Sequence, residues 1–362
     1  MMEKTCEACL KKLRVPDLEE LLYRLDAEEF GADMRKDDMI RTAAALIPEQ
    51  LDDILCVLRM DQAAALRAQL AGNEEGVVSL KAVNRDPDLA KAVESLAAFG
   101  LTWRDTGCWR VRACVRDALQ EAADVEIRFA DLLSDIIQGV LIHVGMLPRD
   151  TLLDWLLKWL DKGEEDAAEA IEGMADRVLR LRYGLSALYA GAEDVWVVNG
   201  DLLDPDALYT RLQEPPIAAM SWPDYKVEDM VFAARETGVP GDGSLYLPLA
   251  KWLNGHGLSL DACAGFICCA VRLIQNGLGV EVMPGVMNAL ELRDEADLGE
   301  LVGVINRFHN SIPLWDNKGR SAGDMLQMMR QSPEKSGFPG PNSPCPCGSG
   351  KKYKHCCGRF VN

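Results

Sequence analysis

Apolar residues recur at three- and four-residue intervals along most of the chain, and that spacing predicts helices. Leu18, Leu21, Leu22 and Leu25 fall on one helical face. Asp17 and Glu20 form a capping box after Pro16, and Gly31 ends the run. A second helix opens at Met34-Arg35-Lys36-Asp37-Asp38-Met39-Ile40 and continues through Ala43, Ala44 and Ile47 until Pro48. Over 50–69, Leu51, Ile54, Leu55, Val57, Leu58 and Leu66 predict one long amphipathic helix that Gly72 stops. Another helix is expected over 89–99, closed by Gly100.

The pattern then changes. Leu101-Thr102-Trp103 and Cys108-Trp109-Arg110-Val111 have strand propensity and flank the polar turn Asp105-Thr106-Gly107. They predict a hairpin, with a helix following over 112–122. Helices followed by a hairpin is the order of a winged helix. The order returns with helices over 132–144, 151–160 and 167–182, a hairpin from 185–189 and 194–198, and a helix from Asp204-Pro205 to Gln213. Setting Trp109-Arg110-Val111 beside Trp196-Val197-Val198 suggests a divergent duplication.

Glu214-Pro215-Pro216 marks a boundary. Beyond it, helices are expected over 228–237, 245–253, 259–276, 284–290, 298–308 and 322–330. Residues 331–344 hold four prolines and two glycines and read as a linker. Extended at roughly 3.1 Å per residue, that linker gives the terminal segment a reach of about 40 Å. The expected architecture is mainly α, a multi-module helical body. A short helical unit (1–47) precedes two winged-helix-like units (48–125 and 130–216), a helical domain (224–330), the linker, and a small knuckle (345–360).

Composition adds constraints. In 362 residues, 48% are hydrophobic and 27% charged, the balance of a globular chain long enough for two or three cores. The formal charge of −18 disfavours loose binding to nucleic acid or anionic membrane. Charge is uneven, however: after residue 330, Lys335, Lys351, Lys352, Lys354 and Arg359 face one acid, Glu334. The start, Met1-Met2-Glu3-Lys4-Thr5-Cys6, has no apolar signal region, and no apolar run is long enough to span a bilayer. Twelve cysteines in such a chain suggest reduced thiols and a metal, so a cytoplasmic location is expected.

The last eighteen residues carry the sharpest signal. Cys345-Pro346-Cys347 and Cys356-Cys357 are separated by eight residues that begin with a glycine–serine turn. Zinc favours four tetrahedral N or S ligands, and an all-cysteine set of four leaves no position open for a substrate. The expected metal is therefore one structural Zn²⁺ on Cys345, Cys347, Cys356 and Cys357, with His355 as a competitor for one position. Thiolate charge would be offset by Lys351, Lys352, Lys354 and Arg359. Gly348-Ser349-Gly350-Lys351 is only part of a P-loop, with Lys352 in place of the magnesium-binding hydroxyl, so no nucleotide site is expected.

This segment resembles the SEC-C motif, the zinc-binding C-terminal tail of the preprotein translocase ATPase SecA, also attached to many other bacterial proteins. Cys345, Cys347, Ser349, Gly350, Cys356 and Cys357 fill its pattern, and its spacing favours Cys357 over His355 as the fourth ligand. The resemblance implies a bacterial protein whose tail docks on a macromolecule: a SecB-like chaperone, the ribosome, or another partner. It covers only the tail, and nothing else in the chain is similar to the SecA motor. More loosely, the Met-Arg-Lys-x-Asp-x-Ile entry between short helices resembles the N-terminal domain of the terminator Rho and SAP-type folds.

Elsewhere the chemistry is sparse. Cys6-Glu7-Ala8-Cys9 is a second CxxC, read as small residues on an N-terminal helix, with a metal or redox pair as the alternative. Cys263, Cys268 and Cys269 read as core residues. His143, His256 and His309 lack a nucleophile at recognisable spacing and are read as structural, with His309 starting a loop that anchors Trp315. Arg104, Arg110, Arg112 and Arg116, around the first hairpin, are the candidate nucleic-acid contacts, opposed by pairing with nearby acids. The expected function is a non-enzymatic, zinc-binding interaction protein, with a nucleic-acid-binding regulator as the alternative.

Overall fold

The structure, a computed structural model, describes residues 6–27, 34–121, 124–161, 163, 166–183, 188–190, 195–241, 243–279, 295–331, 340–344 and 351–355. Among these the protein is mainly α, with two small antiparallel sheets. Packing divides the chain into two compact units, Met1–Ser134 with Asp150–Leu188, and Asp135–Arg149 with Tyr189–Asn362. The helix expected over 284–290 lies outside the described residues.

The first unit opens with α1 (Cys6–Leu10), α2 (Val15–Arg24) and α3 (Lys36–Glu49). Leu18, Leu21, Leu22 and Leu25 are all buried, as their spacing requires. The carboxylate closing the start of α2 is Asp17, which accepts the Arg14 backbone N–H at 3.1 Å and pairs with its guanidinium at 2.9 Å. Glu20 instead lies one turn before Arg24 and pairs with it at 2.8 Å. Pro48 sits inside the last turn of α3 and does not end the helix.

The long helix expected over 50–69 is two helices, α4 (Leu51–Leu55) and α5 (Met60–Leu70). Two distant side chains hold the break between them. The Arg182 guanidinium donates to the Cys56 and Leu58 carbonyls at 2.8 and 2.7 Å and pairs with Asp131 at 2.7 Å. Asp131 in turn accepts the backbone N–H of Met60 at 2.8 Å, satisfying a donor that the first turn of α5 leaves open.

Past α5 come β1 (Val77–Ser79), α6 (Leu80–Val83), α7 (Pro87–Ala97), β2 (Thr102–Asp105), β3 (Cys108–Val111) and α8 (Ala113–Glu121). The hairpin lies where its turn predicts, but β3 is central, with sheet order β1-β3-β2. The same succession of elements comes next: α9 (Asp124–Val144), β4 (Met146–Pro148), α10 (Arg149–Leu160), α11 (Ala167–Val178), β5 (Leu188–Ala190), β6 (Val195–Val198) and α12 (Pro205–Gln213), with order β4-β6-β5. The unit boundary falls within α9. It assigns most of α10 and all of α11 to the first unit, and β4 and β6 to the second.

Both sheets start on a left-handed glycine. Gly76 (φ 60°) and Gly145 (φ 75°) precede β1 and β4, and their carbonyls accept Val111 N–H at 2.8 Å and Asn199 N–H at 2.7 Å. A Cβ on Gly76 would lie 2.3 Å from the Val111 carbonyl oxygen, and one on Gly145 would lie 2.5 Å from the Trp315 ring. Neither position accommodates a side chain. With Val77 facing Arg110 and Met146 facing Val198, superposing the glycines sets Val197, not Trp196, at the place of Trp109. A one-residue shift sends the two tryptophans to opposite faces. Trp196 is buried and Trp109 half-buried.

In the second unit the described residues also form α13 (Val227–Phe232), α14 (Leu247–Gly255), α15 (Leu260–Gln275), α16 (Glu295–Ser311) and α17 (Ala322–Gln331). One apolar cluster joins α14, α15 and α16 through Leu249, Leu253, Ile267, Val271, Leu301 and Phe308. Another gathers Met146, Trp196, Val198, Leu208, Leu212 and Trp315 around the second sheet. Trp315 is fully buried, as expected, and its indole donates to the Ile142 carbonyl at 3.2 Å. His309 belongs to α16, not to a loop. Of the α15 cysteines Cys263 is buried, Cys268 half-buried and Cys269 exposed, so Cys269 is not the core residue expected.

Candidate metal centre

Residues 340–344 and 351–355 frame the cysteine segment, while Cys345, Cys347, Cys356 and Cys357 lie outside the described residues. A turn at Gly340–Ser343 is closed by Ser343 N–H donating to the Gly340 carbonyl at 2.9 Å. The chain then returns antiparallel: Pro344 and Lys352 form a β-bridge, Tyr353 N–H donates to the Ser343 carbonyl at 2.8 Å, and Lys354 N–H to that of Pro341 at 3.0 Å. A 3-10 turn, Tyr353–His355, leads up to Cys356. The residue before Cys345 is thus tied to one four positions before Cys356. Main-chain bonds thus bring the chain just before Cys345 alongside the chain just before Cys356, and that closure is an entropic cost a shared ligand would otherwise bear. No residue of the turn is buried, so apolar burial does not hold it.

The match to known proteins decides what this frame is. Residues 342–359 are a SEC-C motif. Protein translocase subunit SecA of Halothermothrix orenii is 73% identical over 30 residues, 8% of this chain and 4% of that protein. SecA of Lachnoclostridium phytofermentans is 94% identical over 18 residues, covering 5% of this chain and 2% of SecA. SecA of Treponema denticola is 42% identical over 60 residues, 15% and 6% respectively. This chain therefore spans only a few per cent of the length of these curated relatives, and the likeness is confined to the C-terminal region. No solved structure matches the chain significantly. The SEC-C match begins three residues before Cys345 and takes in the Pro344–Lys352 bridge and the Tyr353–His355 turn.

The four hairpin arginines have separate surroundings. Arg110 pairs with Asp105 across the β2–β3 turn at 2.9 Å, which holds the guanidinium above its usual range. Arg112 donates to the Gly100 carbonyl at 2.8 Å, and its guanidinium lies 5.5 Å from the centroid of the Trp103 ring. Arg116 pairs with Asp117 at 2.9 Å and donates to the Glu74 carbonyl at 2.9 Å. Arg104 alone of the four is exposed with no hydrogen-bond or ion-pair partner among the described residues. Three of these side chains brace the hairpin and the start of α8, and among the four only the Arg104 side chain is left without a partner among the described residues.

The histidines are also accounted for. His143 is 3% exposed; its Nδ1–H donates to the Gly139 carbonyl at 2.7 Å, and its Nε2 accepts Gly241 N–H at 3.1 Å. Burial pushes its pKa down to about 4, and the two bonds select the neutral tautomer. It lines a cleft of about 470 Å³ with Tyr225, Asp229, Arg320 and Asp324, yet neither ring nitrogen is left for a substrate. His256 stacks on Trp252 at 3.8 Å and bonds its carbonyl through Nδ1 at 2.8 Å. His309 lines a second cleft, of about 350 Å³, with Arg211 and Asp316.

Among the described residues no group of three or more His, Cys, Asp or Glu side chains is arranged to hold a metal. No helix there is long and apolar enough to cross a membrane. Sequence reading missed the Asp131–Arg182 pair, whose members lie far apart in the chain and carry no local motif.

Proposed function

We propose that this is a non-enzymatic, cytoplasmic interaction protein whose SEC-C tail binds one structural Zn²⁺ and docks on a protein partner. The observation carrying it is a SEC-C segment whose backbone frame is closed by main-chain bonds, with none of its described residues buried. Four thiolates suit zinc, and the donor set Cys345, Cys347, Cys356 and Cys357 would hold it. Bound zinc would supply folding free energy, on the order of 10–16 kcal/mol in small peptide sites, and no reactive position. Lys351, Lys352 and Lys354 are exposed around the frame and give the docking head a basic face, so an acidic surface is the favoured partner. By likeness to the SecA tail, a SecB-like chaperone or the ribosome is the first candidate.

Metal analysis should find close to one zinc per chain, lost in Cys356→Ser. Binding to purified SecB and to ribosomes should be measured for the full chain and for a chain ending at residue 330. Equal binding, or none, by both chains would remove the docking role.

A second reading, a nucleic-acid-binding regulator, draws on the two sheets, whose shared order of helix, strand, two helices and strand pair suits winged-helix modules. Arg104 is then the phosphate contact. Duplex DNA and structured RNA binding at low salt, compared with Arg104→Ala, tests this reading. No binding would end it.

A further inference from the structure

The CxxC at the N-terminal end is not absorbed by the tail or by the core. Cys6 and Cys9 occupy the first and fourth positions of α1, one turn apart and on one face. Helix geometry sets Cα atoms three residues apart at about 5 Å. A disulfide needs roughly 4.4–6.8 Å. Both side chains are half-exposed free thiols. The helix is seated closely on the turn before the hairpin: a Cβ on Gly100 would lie 3.4 Å from Cys9 Cβ and 3.6 Å from Cys6 Sγ.

The two sulfurs have different neighbours. Arg112 donates from Nη2 to Cys9 Sγ at 3.9 Å, while its Nε is anchored on the Gly100 carbonyl at 2.8 Å. A fixed positive charge therefore touches Cys9 Sγ directly and acts on Cys6 from farther off, so negative charge developing on Cys9 is stabilised at contact distance. Cys6 turns inward, its thiol donating to the Phe99 carbonyl at 4.0 Å. Burial pushes that thiol up, partly offset by Arg112. The two thiols are therefore set against different groups, Cys9 against a guanidinium and Cys6 against a backbone carbonyl.

We propose that Cys6 and Cys9 are a redox-active dithiol that exchanges with low-molecular-weight disulfides of the glutathione type, with Cys9 attacking and Cys6 resolving. The Cys9 thiolate attacks one sulfur of the disulfide, forming a mixed disulfide and expelling one thiolate. Cys6 then gives its proton to solvent, and its thiolate attacks Cys9 Sγ, expelling the second thiolate. Both leaving thiolates take up protons. The dithiol is oxidised by two electrons, and one disulfide is reduced to two thiols. Arg112 braces the hairpin and also supplies the charge beside Cys9, a role separate from nucleic-acid contact.

The full-length, zinc-loaded protein is equilibrated in glutathione buffers of graded ratio, acid-quenched, alkylated and digested with trypsin. Residues 5–11 form one peptide holding both thiols, and residues 113–116 carry Cys114 as an internal reference. The expected result is loss of both alkylation sites together, with no retained glutathione, at ratios that leave Cys114 alkylatable. Cys6→Ser should trap glutathione on Cys9, whereas Cys9→Ser should leave Cys6 unmodified. Arg112→Ala should slow oxidation about tenfold, and Arg112→Lys should restore most of the rate. A peptide that stays fully alkylatable overturns the proposal. So does Cys6 capturing glutathione as fast in Cys9→Ser, a rate indifferent to Arg112→Ala, or a second zinc equivalent lost in Cys6→Ser.

Discussion

The SEC-C tail and the helical body achieve order by different means. In the body, Leu18, Leu22, Ile54, Leu66, Phe99 and Trp315 are fully buried, and polar groups such as Asp131 and His143 are buried with bonded partners. In the tail, the turn Tyr353–His355 buries nothing and is joined to Gly340–Pro344 by main-chain bonds. Burial scales with chain length, so a segment this short cannot rely on it. Coordination does not scale that way.

The largest expected effect separates the two regions outright. Chelation or Cys356→Ser should remove zinc and abolish amide protection at Tyr353 and Lys354, while the body's melting transition stays in place. Coordinated loss of both would mean the regions are not independent. The converse test is Trp315→Ala, expected to destabilise the body by about 3–5 kcal/mol through the cavity it leaves beside Gly145, with zinc retained. Urea unfolding followed by far-UV circular dichroism, alongside metal analysis, reads both quantities.

Asp131→Ala should cost about 3 kcal/mol, because it removes the counter-charge of the buried Arg182 guanidinium and the acceptor of the Met60 N–H together. Hydrogen exchange should show the loss centred on Cys56–Met60.

The smallest effect is a pH dependence confined to the body. His143 has a folded pKa of about 4 against an ordinary value of 6.5. The unfolded state therefore binds more protons between these values, and stability falls as pH drops from about 6.5 toward 4, by up to about 3 kcal/mol. His143→Gln should flatten that part of the stability profile relative to the parent protein, and an unchanged slope would show that the imidazole is not buried neutral.

Legibility in the sequence tracked the range of the interactions. The leucine stripe of α2, the β2–β3 hairpin and the cysteine spacing of the tail are local patterns, and each was readable. The strands β1 and β4 were not expected, because three residues are too few to show an alternation. The break between α4 and α5 was hidden for a different reason: its apolar spacing is good for one helix, and Arg182 reaches it from 126 and 124 positions away. The arginine cluster was visible as charge, and its pairing with nearby acids was the alternative that Arg110–Asp105 and Arg116–Asp117 realise, whereas the bond of Arg112 to the Gly100 carbonyl was not legible.

By itself, then, the chain's order of residues determined the helical class, the turn of the first hairpin and the thiol spacing of the SEC-C segment, since these depend on near neighbours along the backbone. Tertiary structure alone decided where α5 begins, which tryptophan faces inward, and that Arg112 stands beside Cys9. Each of those outcomes is set by a partner brought from elsewhere in the chain, and no short window of sequence contains both halves of such a contact.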